Sequence, residues 1–213
     1  MPDRGHSALL VVDLQIDFMP GGALAVAAGD TLVRPIGALL ESGKFSCAVA
    51  TQDWHPPGHI SFASSHARGA PFETIELYGH EQTLWPDHCV VGSPGAALHP
   101  SLPLDAVTAI IRKGTDPSVD SYSAFRNNWN PEGARPPTGL SGFLRELGIA
   151  EVYVCGLARD VCVRWTAEDA ADFGFRTLFL WDLTRPVDPS NDSATRAALE
   201  ARGIEILDAA AIE

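Results

Sequence analysis

Six short apolar runs recur along the chain of 213 residues, and each run is continuous rather than alternating. They lie at residues 8–15, 47–54, 107–114, 151–158, 177–184 and 204–207. Strands that are covered on both faces have this pattern, which points to a parallel sheet between helices. Amphipathic stretches separate most of the runs, at 31–42, 140–148, 161–174 and 189–203. The alternation predicts an α/β fold of three layers, α/β/α, with a central, mainly parallel six-stranded sheet.

The length and charge of the chain limit what it can be. One domain over residues 1–213 is expected, since α/β domains of this size are ordinary. The formal net charge of −12 disfavours nucleic acid and anionic membrane as partners, because an acidic surface repels both. The first 15 residues do not resemble an export signal, and no apolar stretch is long enough to span a membrane. We therefore expect a cytoplasmic protein with a small-molecule ligand, and the sequence leaves a homo-oligomer open.

Chemically useful side chains stand at the carboxyl ends of four predicted strands. They are Asp13, Asp53, Lys113 and Cys162. Open α/β sheets bind their ligands at this edge. One such residue alone would be read as a helix cap or a surface charge. Four of them at one edge favour a functional site.

Cys162 is the candidate nucleophile because it follows a strand and lies in the opening turn of a predicted helix. Helix amides lower the pKa of a thiol there, and a nearby Lys113 would lower it further. Asp13 could accept the thiol proton as a general base. The backbone amides of Ala158 and Cys162 would then face a developing oxyanion. The alternative is that Cys162 packs as a small hydrophobic residue, as most cysteines do.

The other cysteines are expected to be structural. The four cysteines show no CxxC spacing, and in a chain without an export signal they are expected to be reduced thiols, at Cys47, Cys89, Cys155 and Cys162. Cys155 is the last apolar residue of its run, so we expect it to pack in the core.

A metal site is predicted at the start of the long segment 55–106. Asp53 and His55 are two residues apart, so on an extended strand end they face the same way. A carboxylate with an imidazole suits Zn, Fe or Mn. The third ligand would come from the segment itself, where the candidates are His59, His66, His80, His88 and His99. His88 stands in a rigid context, "LWPDHCV", although a single loop histidine is more often solvated or capping.

Three aromatic residues lie outside the apolar runs, in predicted loops near these positions: Phe18, Trp85 and Tyr122. They could form the walls of a flat pocket that binds a ring. For each residue taken alone, packing of the loop onto the core is an equally good interpretation.

Five segments resemble the nicotinamidases of the isochorismatase-like cysteine hydrolase superfamily. In chain order they are "VVDLQIDFMPGGALAV", "TQDWHPPGHISFAS", "ELYGHEQTLWPDHCV", "IIRKGTDPSVDSYSAF" and "VYVCGLARDVCV". The resemblance covers nearly the whole chain. The Asp, Lys and Cys at the strand ends mark the superfamily. "DWHPPGHISF" with "LWPDHCV" is more specific, because isochorismatases proper lack this metal site.

The resemblance implies the isochorismatase-like hydrolase fold and hydrolysis of nicotinamide to nicotinate and ammonia through a cysteine thioester. Pyrazinamide would be a further substrate. By match of motif, Cys162 would be the nucleophile, with Asp13 as the base and Lys113 as the third triad member. One divalent metal, with Zn foremost and Fe or Mn as alternatives, would be held by Asp53, His55 and His88. The aromatic pocket would be formed by Phe18, Trp85 and Tyr122.

The resemblance also extends to finer features. The peptide between Leu157 and Ala158 matches a cis bond that shapes the oxyanion hole. His59 matches a position that is a metal ligand in only some members. Two residues depart from the family pattern: Ile16 replaces Asn in "QIDF", and Arg159 replaces the usual Thr. The added charge of Arg159 either favours the thiolate or points to solvent.

Two other functions remain open on the sequence. One is an amidohydrolase of the same superfamily that acts on a ureido or carbamoyl substrate. The other is a non-catalytic metal-binding or thiol redox protein, which would predict oxidation of Cys155 with Cys162.

Overall fold

Six parallel strands form the central sheet of the protein, of which the computed structural model describes residues 5–212. In chain order the elements are β1 (Ser7–Val12), α1 (Val33–Glu41), β2 (Cys47–Asp53), β3 (Thr74–Leu77), β4 (His80–Thr83), β5 (Ala109–Lys113), α2 (Leu140–Glu146), β6 (Glu151–Leu157), α3 (Arg164–Asp172), β7 (Arg176–Arg185), α4 (Asp192–Ala201) and β8 (Glu205–Leu207). The strand order is β5-β2-β1-β6-β7-β8, and each pairing is parallel. The predicted α/β fold with a six-stranded sheet is confirmed.

The two faces of the sheet carry separate hydrophobic clusters. Along β1, Leu9 and Val11 pack in the cluster that contains α1, since alternate residues of a strand face opposite sides. Leu10 packs in the other cluster, together with apolar residues of α2, α3 and α4. β1, β2 and β6 are buried along their whole length, which explains why their sequences are continuously apolar.

The edge strands and the long segment differ from the prediction. β5 is an edge strand and its burial alternates, with Ile110 45% exposed. The segment 55–106 contains an antiparallel hairpin, β3–β4, that its weak periodicity did not predict. Tyr78 and Gly79 connect the two strands with φ of 53° and 79°, the positive pair that a tight type I′ turn requires.

The strand order places the candidate residues together. β5, β2, β1 and β6 are consecutive neighbours in the sheet, and all four point the same way. Lys113 and Asp53 are the last residues of β5 and β2, and Asp13 directly follows β1. Cys162 lies in a short π-helical turn, residues 159–163, between β6 and α3. The turn differs from the predicted opening turn of an α-helix, since α3 begins only at Arg164.

Candidate active site

The structure brings Asp13, Lys113 and Cys162 into one buried cluster. The Lys113 Nζ lies 2.8 Å from Asp13 Oδ2 and 3.5 Å from Cys162 Sγ. Asp13, Lys113 and Cys162 are 0%, 1% and 7% exposed. A carboxylate oxygen of Asp13 lies within 4.8 Å of the thiol sulfur. A base, a cation and a thiol are therefore in reach of one another in a site that excludes bulk water.

Asp13 is held in a single orientation. Thr51 Oγ1 donates to Asp13 Oδ1 over 2.5 Å and accepts from the Asp13 backbone N–H at 3.1 Å. The Asp13 backbone has a φ of 48°, a left-handed conformation that is costly for a residue with a side chain and recurs at functional sites. Lys113 Nζ lies 2.8 Å from Oδ2, and a carboxylate oxygen has a second lone pair that can accept a proton.

Burial and charge set the protonation of this cluster. Burial raises the pKa of Asp13 to about 6, against the opposing effect of Lys113. Burial would lower the pKa of Lys113, but the Asp13 and Asp53 carboxylates outweigh it and raise that pKa well above its usual value. Lys113 is therefore a cation at neutral pH.

The predicted lowering of the Cys162 pKa is wrong. Burial raises the pKa of the thiol well above its usual value, and Lys113 only partly offsets this effect. Asp13 and Asp53 add to the increase, since two carboxylates face the sulfur. This direction favours the protonated thiol over the thiolate at neutral pH.

Ala158 and Cys162 both line a pocket into which the candidate aromatic residues also project their surfaces. The peptide bond between Leu157 and Ala158 is cis, as the sequence resemblance implied. Both residues that the sequence assigned to an oxyanion hole therefore line this pocket.

Asp53, His55 and His88 form a candidate metal centre in the same pocket, and the Asp53 carboxylate lies within 4.8 Å of the Cys162 sulfur. The Nε2 atoms of His55 and His88 lie 3.7 and 3.8 Å from Asp53 Oδ2. The Nδ1 atoms face the carbonyls of Gly114 and Pro86, at 3.1 and 2.8 Å. A carbonyl oxygen only accepts, so each Nδ1 is the donor and Nε2 is the ring nitrogen left for a metal. Any side chain at Gly114 would collide with the His55 ring. One carboxylate and two imidazoles fit a divalent metal of intermediate hardness.

His59 lies beside this centre without belonging to the same group. Its Nδ1 is 2.7 Å from Ser61 Oγ, and its ring centroid is 4.3 Å from that of His55. Burial and then His55 lower its pKa to about 4, so the ring is neutral. His55, His59 and Asp120 form a second group whose ligand atoms are mutually close.

The remaining candidate histidines have other partners. His66 Nε2 contacts the Ile60 carbonyl at 2.7 Å, and His80 stacks on Trp129 at 3.9 Å. His99 Nδ1 accepts the backbone N–H of Ser101. None of these contacts is with Asp53, His55 or His88.

The three aromatic residues line the pocket between the thiol and the candidate metal centre: Phe18, Trp85 and Tyr122. Phe18 lies 5.5 Å from the His88 ring, measured between centroids. The Trp85 Nε1 donates to the Tyr122 hydroxyl over 3.2 Å, which fixes the two rings nearly at right angles. Such a slot favours a flat, ring-shaped ligand.

Comparisons with known proteins agree with this geometry. The isochorismatase domain model matches residues 7–211. The nicotinamidase of Acinetobacter baylyi is 46% identical over 188 residues, which are 88% of this chain and 85% of that protein. The chain belongs to the nicotinamidases of the isochorismatase family.

Solved structures of nicotinamidase-family proteins have the same fold. A nicotinamidase and pyrazinamidase from Acinetobacter baumanii superposes with a TM-score of 0.93 at 43% identity, covering 99% of this chain and 100% of that one. The pyrazinamidase of Pyrococcus horikoshii, solved in complex with zinc, has a TM-score of 0.77 at 38% identity, covering 95% and 99%. None of the helices in residues 5–212 is long and apolar enough to cross a bilayer.

Two residues that the sequence analysis did not select position the candidate metal ligands of this nicotinamidase-family chain. Gln15 Nε2 donates to the Asp53 carbonyl over 2.8 Å, and its Oε1 accepts the Asp53 backbone N–H at 2.7 Å. Asp17 Oδ2 accepts the backbone N–H of Cys89 at 2.7 Å and so holds the turn that carries His88. Both stand in the "DLQIDF" segment, whose polar residues were the available signal.

A second unpredicted pair supports the aromatic pocket. Asp120 lines the pocket, and its Oδ2 accepts from Gln82 Nε2 at 2.7 Å. The same Gln82 nitrogen lies 2.9 Å from the Tyr122 hydroxyl. Gln82 belongs to β4, so the hairpin supports the pocket. No local pattern could have indicated this, because Gln82 and Asp120 are 38 residues apart.

Cys155 does not take part in the site. It is completely buried, its sulfur lies 3.6 Å from the Leu10 carbonyl, and burial raises its pKa. All four cysteines of the chain are free and buried. Cys155 packs in the sheet as predicted.

Proposed function

We propose that this chain is a single-domain amidohydrolase that converts nicotinamide to nicotinate and ammonia, and pyrazinamide to its acid. The observation that carries the proposal is that the Cys162 thiol lines an aromatic pocket and also contacts the buried Lys113–Asp13 ion pair. The names of its relatives, nicotinamidases from several organisms, support the same substrate.

The first half of the reaction transfers the acyl group to sulfur. Asp13 takes the proton of Cys162 as the sulfur attacks the amide carbon, and the C=O electron pair moves to oxygen. The backbone amides of Ala158 and Cys162 hold the resulting oxyanion. Because the thiol is protonated at rest, proton transfer and attack occur together, with Lys113 stabilising the negative charge.

The second half releases the acid. The oxyanion collapses, the C–N bond breaks, and Asp13 returns the proton to the departing ammonia, which leaves a thioester on Cys162. A water molecule then attacks the thioester carbon and gives a proton to Asp13. The C–S bond breaks, and Cys162 regains its proton as the carboxylate product forms.

A divalent metal would be held by Asp53, His55 and His88, with Zn as the first choice and Fe or Mn as alternatives. The donor set and the zinc complex of the Pyrococcus horikoshii relative support this choice. When bound, the ion would supply a Lewis acid that attracts the ring nitrogen of the substrate. The chain itself positions the ring, with Phe18 and Trp85 as walls.

The product class suggests a role in the cell. Nicotinate is a precursor of pyridine nucleotides, so the reaction would serve NAD salvage, and a cytoplasmic location is proposed with it. Neither nucleic acid nor membrane is proposed as a partner, and a homo-oligomer remains open. The net charge of −12 favours a neutral amide over an anionic substrate.

Ammonia release from matched amides tests the proposal. Nicotinamide and pyrazinamide should be turned over, whereas benzamide, which has the same shape without a ring nitrogen, should be a poor substrate. A panel of ureido and carbamoyl compounds tests the rival amidohydrolase. Turnover of these compounds without turnover of nicotinamide would refute the proposed function, and no ammonia from any amide would favour the redox alternative.

A further inference from the structure

Arg159 is a buried side chain at the start of the turn that carries Cys162, with 7% of its surface exposed. Its Nε and Nη2 donate to the hydroxyl and the carbonyl of Thr184, both over 2.9 Å. The guanidinium stacks 4.1 Å from the Trp181 ring centroid, and Nη1 pairs with Asp192 Oδ2 at 2.7 Å. Of the two alternatives for Arg159, the one in which it points to solvent is therefore wrong.

Two residues that Arg159 contacts, Trp181 and Thr184, lie at a bulge of β7. Val154 of β6 pairs with Phe179, and the next pair joins Gly156 with Thr184. β7 thus advances by five residues where β6 advances by two, and three extra residues loop out. Carbonyls in a bulge lose their partners in the strand ladder. Arg159 donates to the Trp181 carbonyl, which lies within the bulge, and to the Thr184 carbonyl, where pairing resumes.

The bulge stands where the nucleophile turn begins. Pairing between β6 and β7 resumes at Gly156 and Leu157, immediately before Ala158. The main chain then enters the π-helical turn that carries Cys162. By bonding the bulge, Arg159 fixes the first residue of this turn to the neighbouring strand.

Asp160, the next residue, anchors the same turn to a different segment. Its two carboxylate oxygens accept the backbone N–H groups of Val187 and Asp188 at 2.8 and 3.0 Å, and Oδ2 also accepts from Asn191 Nδ2. Val187 lines the pocket. Arg159 and Asp160 therefore hold the turn against the region from the β7 bulge to the start of α4.

We propose that Arg159 is a positioning residue for the hydrolysis, which fixes Cys162 and the amide of Ala158 relative to Asp13 by bracing the nucleophile turn on the β7 bulge. The inference rests on the proposed function. On this proposal, kcat depends on the planar shape of the Arg159 guanidinium rather than on its positive charge. The reason is that the polar contacts of the side chain are to β7 and α4.

Two substitutions separate shape from charge. Arg159→Lys keeps the cation but loses the planar fork, and Arg159→Gln loses both. Arg196→Gln is the matched control. Arg196 also stacks on the Trp181 ring, 3.8 Å from its centroid, but it belongs to α4 and not to the turn that carries Cys162. Asp192→Asn removes one partner of Arg159 near the surface and serves if the Arg159 variants fold poorly.

The expected result is a loss of kcat of roughly 10- to 100-fold in both Arg159 variants, because misplacement of about 1 Å costs that much. KM and the pH midpoint of Cys162 alkylation by iodoacetamide should stay as in the wild type. Asp192→Asn should lose kcat to a smaller extent, and Arg196→Gln should keep it. Wild-type kcat in Arg159→Lys, with a shifted alkylation midpoint in Arg159→Gln, would overturn the proposal in favour of a charge effect.

Hydrogen exchange makes the test independent of the substrate. In both Arg159 variants, peptides covering residues 155–163 should exchange faster, with the rest of the sheet unchanged. If the wild type releases no ammonia from any amide, the proposed function fails, while the exchange result still decides whether Arg159 braces the turn. Unchanged exchange in 155–163, or a uniform increase over the whole chain, would overturn the positioning role.

Discussion

Asp53 and Lys113 are register partners at the ends of neighbouring strands, and the lysine ammonium donates directly to the Asp53 carboxylate. Asp53 is a candidate metal ligand, and Lys113 is a member of the candidate triad. Burial would raise the pKa of Asp53, but Lys113 and then His55 hold it well below its usual range. The metal centre and the nucleophile are therefore electrostatically coupled through one hydrogen bond, so a change at either should alter both.

Lys113→Met tests this coupling through stability. The substitution leaves two carboxylates, Asp13 and Asp53, buried without their shared cation. Breaking a buried pair on one side costs about 3–5 kcal/mol, and we expect a loss in this range from urea unfolding at pH 7. Activity should fall as well. A variant as stable as the wild type would mean that the ion pair contributes little to the fold.

Cys162→Ala tests the nucleophile against a matched cysteine. Removal of the thiol should reduce ammonia release by on the order of 10⁴-fold or more, because the acyl-enzyme cannot form. Cys155→Ala removes a buried thiol from strand β6, outside the turn that carries Cys162, and should keep kcat while unfolding more easily by about 1–2 kcal/mol. Far-ultraviolet circular dichroism confirms folding of both. Comparable activity in the two variants would exclude Cys162 as the nucleophile.

The pKa of Asp13 predicts an acid limb in the pH profile. Asp13 must be ionised to accept the thiol proton, and its pKa is raised to about 6 by burial. Below pH about 6 it becomes protonated, so kcat/KM should fall about tenfold per pH unit, and it should level off above this pH. Because the groups interact, the midpoint belongs to the cluster rather than to Asp13 alone. A flat profile down to pH 4.5 would contradict a base with a raised pKa.

The resting state of the thiol gives a further prediction. Burial and the two nearby carboxylates raise the pKa of Cys162, so its alkylation by iodoacetamide should have a pH midpoint above that of a free cysteine. The rate is followed by mass spectrometry, with the Cys162→Ala variant as the control for the other cysteines. A midpoint below pH 7 would indicate a preformed thiolate and would require a different first step.

The sheet and the triad positions could be predicted because their signals are local. Strands buried on both faces are continuously apolar, and the residue after each strand lies at the ligand-binding edge. The hairpin β3–β4 was not predicted, because its strands are four residues each and partly exposed. The β7 bulge changes register without changing the apolar pattern, so nothing in the sequence indicated it.

The contacts that tune the site depend on distant residues. Thr51 and Asp13 are 38 residues apart, and so are Gln82 and Asp120. The sign of the effect of Lys113 on the Cys162 pKa could be predicted, and Lys113 does lower that pKa. The larger effect of burial was missed, because burial is a property of the whole packed site and not of the turn that holds the thiol.

His88→Ala is the cleanest test of the metal centre. Asp53 is bonded to the triad residue Lys113, whereas the polar contacts of His88 are to Asp53 and the Pro86 carbonyl. The variant should lose bound metal and raise KM for nicotinamide by roughly 10- to 100-fold, which corresponds to about 1.5–3 kcal/mol of lost polar recognition. Metal content is measured by elemental analysis of the purified protein. His99→Gln is the loop-histidine control and should keep both metal and KM.

By contrast, Asp53→Asn should lower kcat as well as raise KM, since Lys113 loses a charged partner. Full metal content in His88→Ala would exclude it as a ligand, and loss of metal in His59→Ala would point to the second group instead.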